Sequence, residues 1–467
     1  MTRPATPARA RRLVACLTAS LASATLGACA SARPEQALAV ARADGRRVSF
    51  DSATADFTVD GVRVIHRPNY GTGAVAVNLY LLGGARQLSP ATQGVESLLL
   101  RAGEYGSAGY PGARQRAAWG RTGAELALGT TADWTLYGFR ALREDFDATW
   151  DVWADRLLRP TLAAADVDLA RARMVGRLRS RRTSPDGLAF LLADSVAYAG
   201  HPYALRPDGT EASLAALDSA ALRAYATREL VASRLLVVVV GNAERAAVEA
   251  AVRRTFARLP RGDYHWTLPE PGPRVASAEA RRGAVAFVPR SLATNYVLGV
   301  FQGPAASAPD APAFRIATAL LGARLHQAVR EQRGLSYAAQ APFFERGATS
   351  AVLYVSTTAP GATLDVARAQ LDALHGAYYP SYAVRGFTDQ FVTEYFAENM
   401  TSAAQADFLA RAELYQGDYR RATHAMDALR SLTGSDVRAA ASRYLVHPRF
   451  VYLGDTARVE RGAFAGF

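Results

Sequence analysis

The sequence predicts an α+β fold in which one domain plan occurs twice, and three observations carry that reading. Strands and helices do not alternate strictly, which favours a layered sheet-and-helix domain over a doubly wound one. The order strand, glycine turn, loop and helix occurs in both halves, at an interval of about 200 residues, an ordinary domain size. Between the halves lies Leu268-Pro269-Glu270-Pro271-Gly272-Pro273, whose prolines make a semi-stiff linker. With 467 residues the chain is long enough for two sizeable cores.

The first unit opens on the alternating strand Val62-Arg63-Val64 and a stronger one, Val75 to Leu81. Gly83-Gly84 ends that strand, and a loop containing Pro90 leads into a helix over Val95–Leu100. Phe146, Trp150, Trp153 and Leu157 have helical spacing and read as a core-facing stripe stopped by Pro160. The basic run Arg171 to Arg182 reads as a helix with a solvated face. Leu235 to Val240 is a continuous apolar strand ending in Gly241-Asn242, and Val248, Val252, Phe256 and Leu259 line the next helix. The second unit repeats this: Tyr296 to Phe301 is a strand, Gly303-Pro304 a breaker, and Pro309 to Pro312 a loop. A helix then carries Phe314, Ala317, Leu321, Leu325 and Val329, and Phe450 to Leu453 forms a closing strand before Gly454.

Half of the residues are hydrophobic and 21% are charged, as in ordinary folded protein. The net charge is +12 and every basic side chain is Arg rather than Lys. The arginines are spread along the chain without a nucleic-acid-binding motif, so no nucleic-acid partner is expected.

Residues 1–28 read as a targeting segment: Arg3, Arg9, Arg11 and Arg12 precede an apolar stretch, Leu13 to Leu26, too short to span a bilayer comfortably. Leu26-Gly27-Ala28-Cys29 resembles a bacterial lipobox, making Cys29 the expected lipidation site and 29–47 a tether. The alternative is a secretory signal in which that cysteine carries no lipid. Ala30 in place of Asp favours, by resemblance to sorted lipoproteins, the outer membrane, with the protein facing the periplasm. Cys16 lies within the signal, so a chain beginning at Cys29 has no disulfide and no cysteine-based zinc site.

Several segments together resemble the M16 family (insulinase, pitrilysin, mitochondrial processing peptidase). They are Leu82 to Arg86, Gly94-Val95, Gly123-Ala124 through Asp133-Trp134-Thr135, Gly200 to Tyr203, Asp208 to Glu211, Val237 to Gly241, Leu320 to Gly322 and Arg330 to Tyr337. The resemblance implies two homologous α/β sandwich domains of the LuxS/MPP-like type arranged as a clam, over 48–267 and 275–467 with a linker at 268–274. Catalytic members carry His-x-x-Glu-His, two imidazoles on one helix face for Zn²⁺ and a carboxylate general base. The matching positions here are Ser97, Leu100 and Arg101. Serine is a poor zinc ligand, leucine takes no proton, and the arginine is a permanent cation. The family's third ligand, a Glu, falls near Gly176 and Arg177, and no Glu occurs between Glu144 and Glu211. The expectation is therefore no metal and no catalytic residue in this chain.

Glu96 and Ser97 offer no replacement chemistry, because no neighbouring base or oxyanion donor accompanies the serine. In the second half, Arg330 and Tyr337 match the family's Arg/Tyr pair, which binds the substrate carbonyl and stabilises the oxyanion. Retention of that pair beside loss of the metal set leads to one reading: the non-catalytic subunit of a heterodimeric zinc endopeptidase, with zinc in a His-x-x-Glu-His partner. Its substrates would be peptides held along a sheet edge, and its membrane attachment the N-terminal lipid. The other reading is an envelope peptide-binding or scaffolding protein without a proteolytic partner.

Overall fold

The computed structural model describes residues 53–272, 285–376 and 378–467. The signal, the tether, Cys29 and the last two residues of the linker lie outside the described residues. Two sheets organise the rest. The first contains β1 (Ala55–Val59), β2 (Val62–Pro68), β3 (Ala74–Leu82), β4 (Glu125–Thr130), β5 (Trp134–Leu142) and β6 (Leu235–Gly241), in the order β1-β2-β6-β3-β5-β4. The second runs β10-β11-β8-β12-β7, with β9 also paired to β11; its strands are β7 (Val285–Pro289), β8 (Asn295–Ala305), β9 (Ser336–Gln340), β10 (Phe343–Phe344), β11 (Ala348–Thr357) and β12 (Arg449–Gly454).

The pairing is the same in both. β2 is parallel to β6, β6 antiparallel to β3, and β3 antiparallel to β5. Likewise β7 is parallel to β12, β12 antiparallel to β8, and β8 antiparallel to β11. The chain is thus a mixed α+β molecule with one sheet plan used twice.

The first-half helices are α1 (Val95–Gly103), α2 (Ala113–Thr122), α3 (Phe146–Leu158), α4 (Ala164–Thr183), α5 (Pro185–Ala197), α6 (Glu211–Ala215), α7 (Ser219–Glu229) and α8 (Arg245–Phe256). The second-half helices are α9 (Ala311–Leu325), α10 (Pro360–Gly376), α11 (Ser381–Glu398), α12 (Ser402–Gln416), α13 (Arg421–Arg430) and α14 (Gly434–Tyr444). The aromatic stripe of α3 packs as its spacing predicts, with Phe146, Trp150 and Trp153 fully buried against Phe139 and Phe256. On α4, Val167, Ala170, Met174 and Leu178 face inward and the arginines outward.

Each sheet is covered on its second face by a helix from the other half. Leu409, Ala410 and Tyr415 of α12 pack on Tyr80, Val238 and Val240 of the first sheet. Ala189, Ala193 and Ala197 of α5 pack on Leu298, Val300 and Val451 of the second. Strands covered on both faces need continuous apolar sequence, and all seven residues of β6 are buried. Each fully buried Val or Leu contributes about 1.5–3 kcal/mol relative to exposure.

One carboxylate ties the halves at their boundary. Asp133, fully buried, accepts from the hydroxyls of Tyr203 (2.5 Å) and Tyr415 (2.8 Å) and from the Gly347 amide (2.8 Å). Arg63 of β2 adds an ion pair to Glu413 of α12.

Several expectations change. Leu259 lies beyond the end of α8 at Phe256, and α9 begins at Ala311, inside the expected loop. Gly303-Pro304 does not break β8, which continues to Ala305. The register of β11 slips between Ala348 and Ser350, opposite this dipeptide, and such a bulge tolerates a proline that cannot donate. Gly303 is needed for space, since a Cβ there would lie 2.3 Å from Thr349 Oγ1. The helix bearing Val329 ends its α-helical part at Leu325 and continues as a π-turn, His326–Glu331.

Replacing Asp133 with Ala leaves two tyrosine hydroxyls and an amide without their acceptor. It should cost at least about 3 kcal/mol in urea unfolding, against about 1–2 kcal/mol for Tyr415→Phe. Equal, sub-kilocalorie losses would show that the boundary does not depend on this carboxylate.

Candidate functional site

Helix α1 is placed by a close backbone approach. Gly94 caps it in the left-handed region (φ 85°), and a Cβ there would lie 2.8 Å from the Cα of Gly209. Ser213 Oγ donates to the Gln93 carbonyl and the Arg206 amide to Gln93 Oε1 (both 2.8 Å), which fastens the segment around Asp208–Glu211 to the helix start. The glycines of both motifs are therefore positions where only hydrogen fits between two segments of the backbone.

The motif positions are mostly turned into the protein. Ser97 is fully buried and its hydroxyl has no hydrogen-bond partner among the described residues. Leu100 belongs to the first core with Tyr137, Phe139 and Trp153. Glu96 accepts from Tyr225 Oη (2.8 Å) and Arg234 Nη2 (3.1 Å), and Arg234 also binds Glu229 and the Leu82 carbonyl. Burial opposes the charge on Arg234, but Glu96, Tyr225 and Glu229 together hold its pKa above the ordinary arginine value. Burial, and then Glu96, push the Tyr225 phenol well up. This is a buried ionic lock that seats α1, with no nucleophile in it.

Arg101 is half-buried, and its pKa is pulled down by desolvation and by the neighbouring guanidinium of Arg177 on α4. Two cations thus stand at positions where catalytic members carry zinc ligands. Zn²⁺ does not fit this set: one hydroxyl is sealed in the core, one side chain is aliphatic, and the remaining charges repel a cation. Among the described residues no three His, Cys, Asp or Glu side chains gather as metal ligands.

Arg330 and Tyr337 come together in the second half. Arg330 is at the end of the π-turn, a distortion often found at functional sites, and Tyr337 is the second residue of β9. Gly334 (φ 60°) closes the turn, donating its amide to the Arg330 carbonyl (3.1 Å), while Leu335 donates to Val329 (2.9 Å). The Arg330 guanidinium then lies 4.7 Å from the Tyr337 ring centroid, a cation–π contact. Tyr337 is 82% exposed, and Arg330 has no carboxylate partner among the described residues. No hydrogen bond, ion pair or ring contact among the described residues joins this pair to Ser97, Leu100 or Arg101. Glu104, just past the end of α1, lies near both Arg101 and Arg156; nothing in the local sequence distinguishes Glu104 or Arg156 from a surface charge.

Fold and site together define a two-domain peptidase-like chain whose metal-binding positions carry no metal chemistry. Residues 63–205 match the family model described as Insulinase (Peptidase family M16), and 216–378 match that described as Peptidase M16 inactive domain. The chain belongs to peptidase family M16 and is of its non-catalytic type. It is 26% identical over 339 residues to an uncharacterized zinc protease of Mycobacterium leprae, covering 69% of this chain and 74% of that protein. It is also 22% identical over 246 residues to subunit 1 of the bovine mitochondrial cytochrome b-c1 complex, covering 53% of this chain and 50% of that subunit. A peptidase M16 inactive domain from Pseudomonas fluorescens has the same fold, with TM-score 0.75, 20% identity and coverage of 86% of this chain and 98% of that one. A Helicobacter pylori protease gives TM-score 0.77 at 17% identity, covering 86% and 99%.

Glu96→Gln should destabilise the chain by about 1.5–3 kcal/mol, because it removes one of the two carboxylates that neutralise the buried Arg234 and leaves only Glu229; urea unfolding measures this. Ser97→His, Leu100→Glu and Arg101→His combined should still yield substoichiometric zinc after dialysis, with Arg177 opposing the ion. Adding Arg177→Glu should raise the zinc content measured by plasma mass spectrometry.

Proposed function

We propose that this chain is the substrate-binding, non-catalytic subunit of a two-chain M16-type zinc endopeptidase of the bacterial envelope. In this reading Cys29 carries the lipid anchor at the outer membrane, the protein faces the periplasm, and zinc belongs to a partner bearing His-x-x-Glu-His. One observation carries it: Ser97, Leu100 and Arg101 cannot serve a metal, whereas Arg330 and Tyr337 sit together on the surface with no other side-chain partner among the described residues. A guanidinium and a phenol so placed can donate to a carbonyl oxygen as it becomes an oxyanion in the partner's site. The substrate class is an extended peptide. Among the described strands, β4 pairs only with β5, so its other edge can accept a peptide strand.

Co-purification of the tagged, lipidated chain from native membranes, followed by mass spectrometry, tests the assembly. A stoichiometric His-x-x-Glu-His partner supports it; a chain recovered alone favours an envelope peptide-binding protein instead. In the complex, Arg330→Ala should lower peptide turnover about 100-fold, the order seen on removing one oxyanion donor. Tyr337→Phe should also lower it, and neither change should weaken assembly; unchanged turnover for both would remove the pair from the mechanism.

A further inference from the structure

The place where catalytic relatives hold zinc is crowded with positive charge that the described residues only partly neutralise. Arg101 lies on α1 and Glu104 just past its C-terminal end, Arg156 on α3, and Arg173 and Arg177, one turn apart, on α4. The three helices converge here. A Cβ at Gly103 would come within 2.7 Å of the Arg156 carbonyl, so α1 and α3 touch beside Glu104. Arg173 lies 5.4 Å from the Tyr105 ring, which brings the α4 arginines to the same end of α1.

Arg156 is the telling residue. It is only 6% exposed, its guanidinium lies 4.2 Å from the Trp119 ring, and its Nε has no hydrogen-bond partner among the described residues. Among the described residues none of Arg101, Arg156, Arg173 and Arg177 has a carboxylate within ion-pair distance. Their neighbours differ: Arg171 pairs with Asp168, Arg179 and Arg182 with Glu211, and Arg181 with Asp208. Four cations thus surround one carboxylate, Glu104. One carboxylate does not balance four guanidinium groups, and burial raises the Glu104 pKa even though Arg101, Arg156, Arg177 and Arg173 act to lower it. A buried cation that has a ring contact but no carboxylate is costly unless something completes it.

The geometry points to an oxyanion site, built where catalytic relatives hold zinc, that takes a carboxylate of a bound peptide, either an acidic side chain or a free C-terminus. Guanidinium groups match carboxylates with two parallel hydrogen bonds, and a desolvated one such as Arg156 does so most strongly. A peptide is the fitting carrier because the free edge strand is one strand away. Leu128 of β4 is paired with Tyr137 of β5, and the Tyr137 phenol lies close enough to feel the charges of both Arg156 and Glu104. The inference rests on the peptide-binding part of the proposed function and needs no partner subunit.

The test uses calorimetry on the whole chain alone, so the absence of a zinc partner cannot affect it. The probes are an acetylated, amidated alanine-threonine heptapeptide with one central Asp, its Asn counterpart, the Asn peptide with a free C-terminus, and inorganic phosphate. Either peptide carboxylate should tighten binding about tenfold over the neutral peptide, as expected for one charge-assisted contact. The double variant Arg101→Gln/Arg177→Gln should abolish that difference, and Glu104→Gln should enlarge it. Arg156→Gln should act like the double variant, but the double variant decides the matter if Arg156→Gln does not fold. Equal affinity for the three peptides, no binding of any, a preference untouched by the double variant, or phosphate binding tighter than both acidic peptides would overturn the proposal.

Discussion

The structure depends on each sheet being buried on both faces, with the second cover supplied by the other half. A single sheet with helices on one side would leave Tyr80, Val238 and Val240, or Leu298, Val300 and Val451, facing water. Exposed apolar faces of that size are not stable in isolation. Crossing α5 and α12 onto each other's sheets solves the problem twice with one geometry, and it makes each half's core partly the property of the other. Asp133 then fixes the register of the crossing. Its three donors come from both halves, and a carboxylate in such a dry place is tolerable only because every bond is made.

This arrangement explains how a peptidase fold persists without its metal. Helix α1 is held by Leu98, Leu99 and Leu100 in two cores, by Gly94 against Gly209, and by Glu96 on Arg234. None of these needs zinc. With the helix independently seated, the metal-ligand positions could accept an aliphatic side chain or a cation without loss of the fold. Repulsion between Arg101 and Arg177 is borne because Arg177 is exposed and Arg101 is only half-buried, so water screens part of the charge.

Much of this was legible in the sequence, for identifiable reasons. The run Leu235 to Val240 announces a strand buried on both sides, and the recurring glycine turns announce duplication, because both signals are local. The loss of Ser97, Leu100 and Arg101 as ligands is a matter of residue chemistry and needed no coordinates. What could not be read is what depends on partners distant in sequence. Nothing in α5 or α12 says which sheet it covers. Gly303-Pro304 reads as a stop until the slipped register of β11 shows why it is not. Arg156 looks like one more surface arginine until its stacking on Trp119 and its burial are seen.

The Arg330–Tyr337 contact has an energetic consequence for any role in another chain's site. Where the two groups are stacked on each other, the guanidinium still has all its hydrogen-bond donors free, because a ring face offers none of the acceptors a planar fork can use. Parting them at an exposed site costs about 0.5–1 kcal/mol. A hydrogen bond from a charged group to an oxyanion gains about 1.5–3 kcal/mol. The resting stack therefore holds two flexible side chains in place without competing seriously with a substrate. The π-turn and Gly334 serve the same end by fixing the backbone under both residues, so that ordering entropy is met in folding and not on binding. A pair meant only to stabilise its own domain would be expected to lie inside it. Leaving Tyr337 almost wholly in solvent gives up that packing and keeps both donors within reach of another molecule.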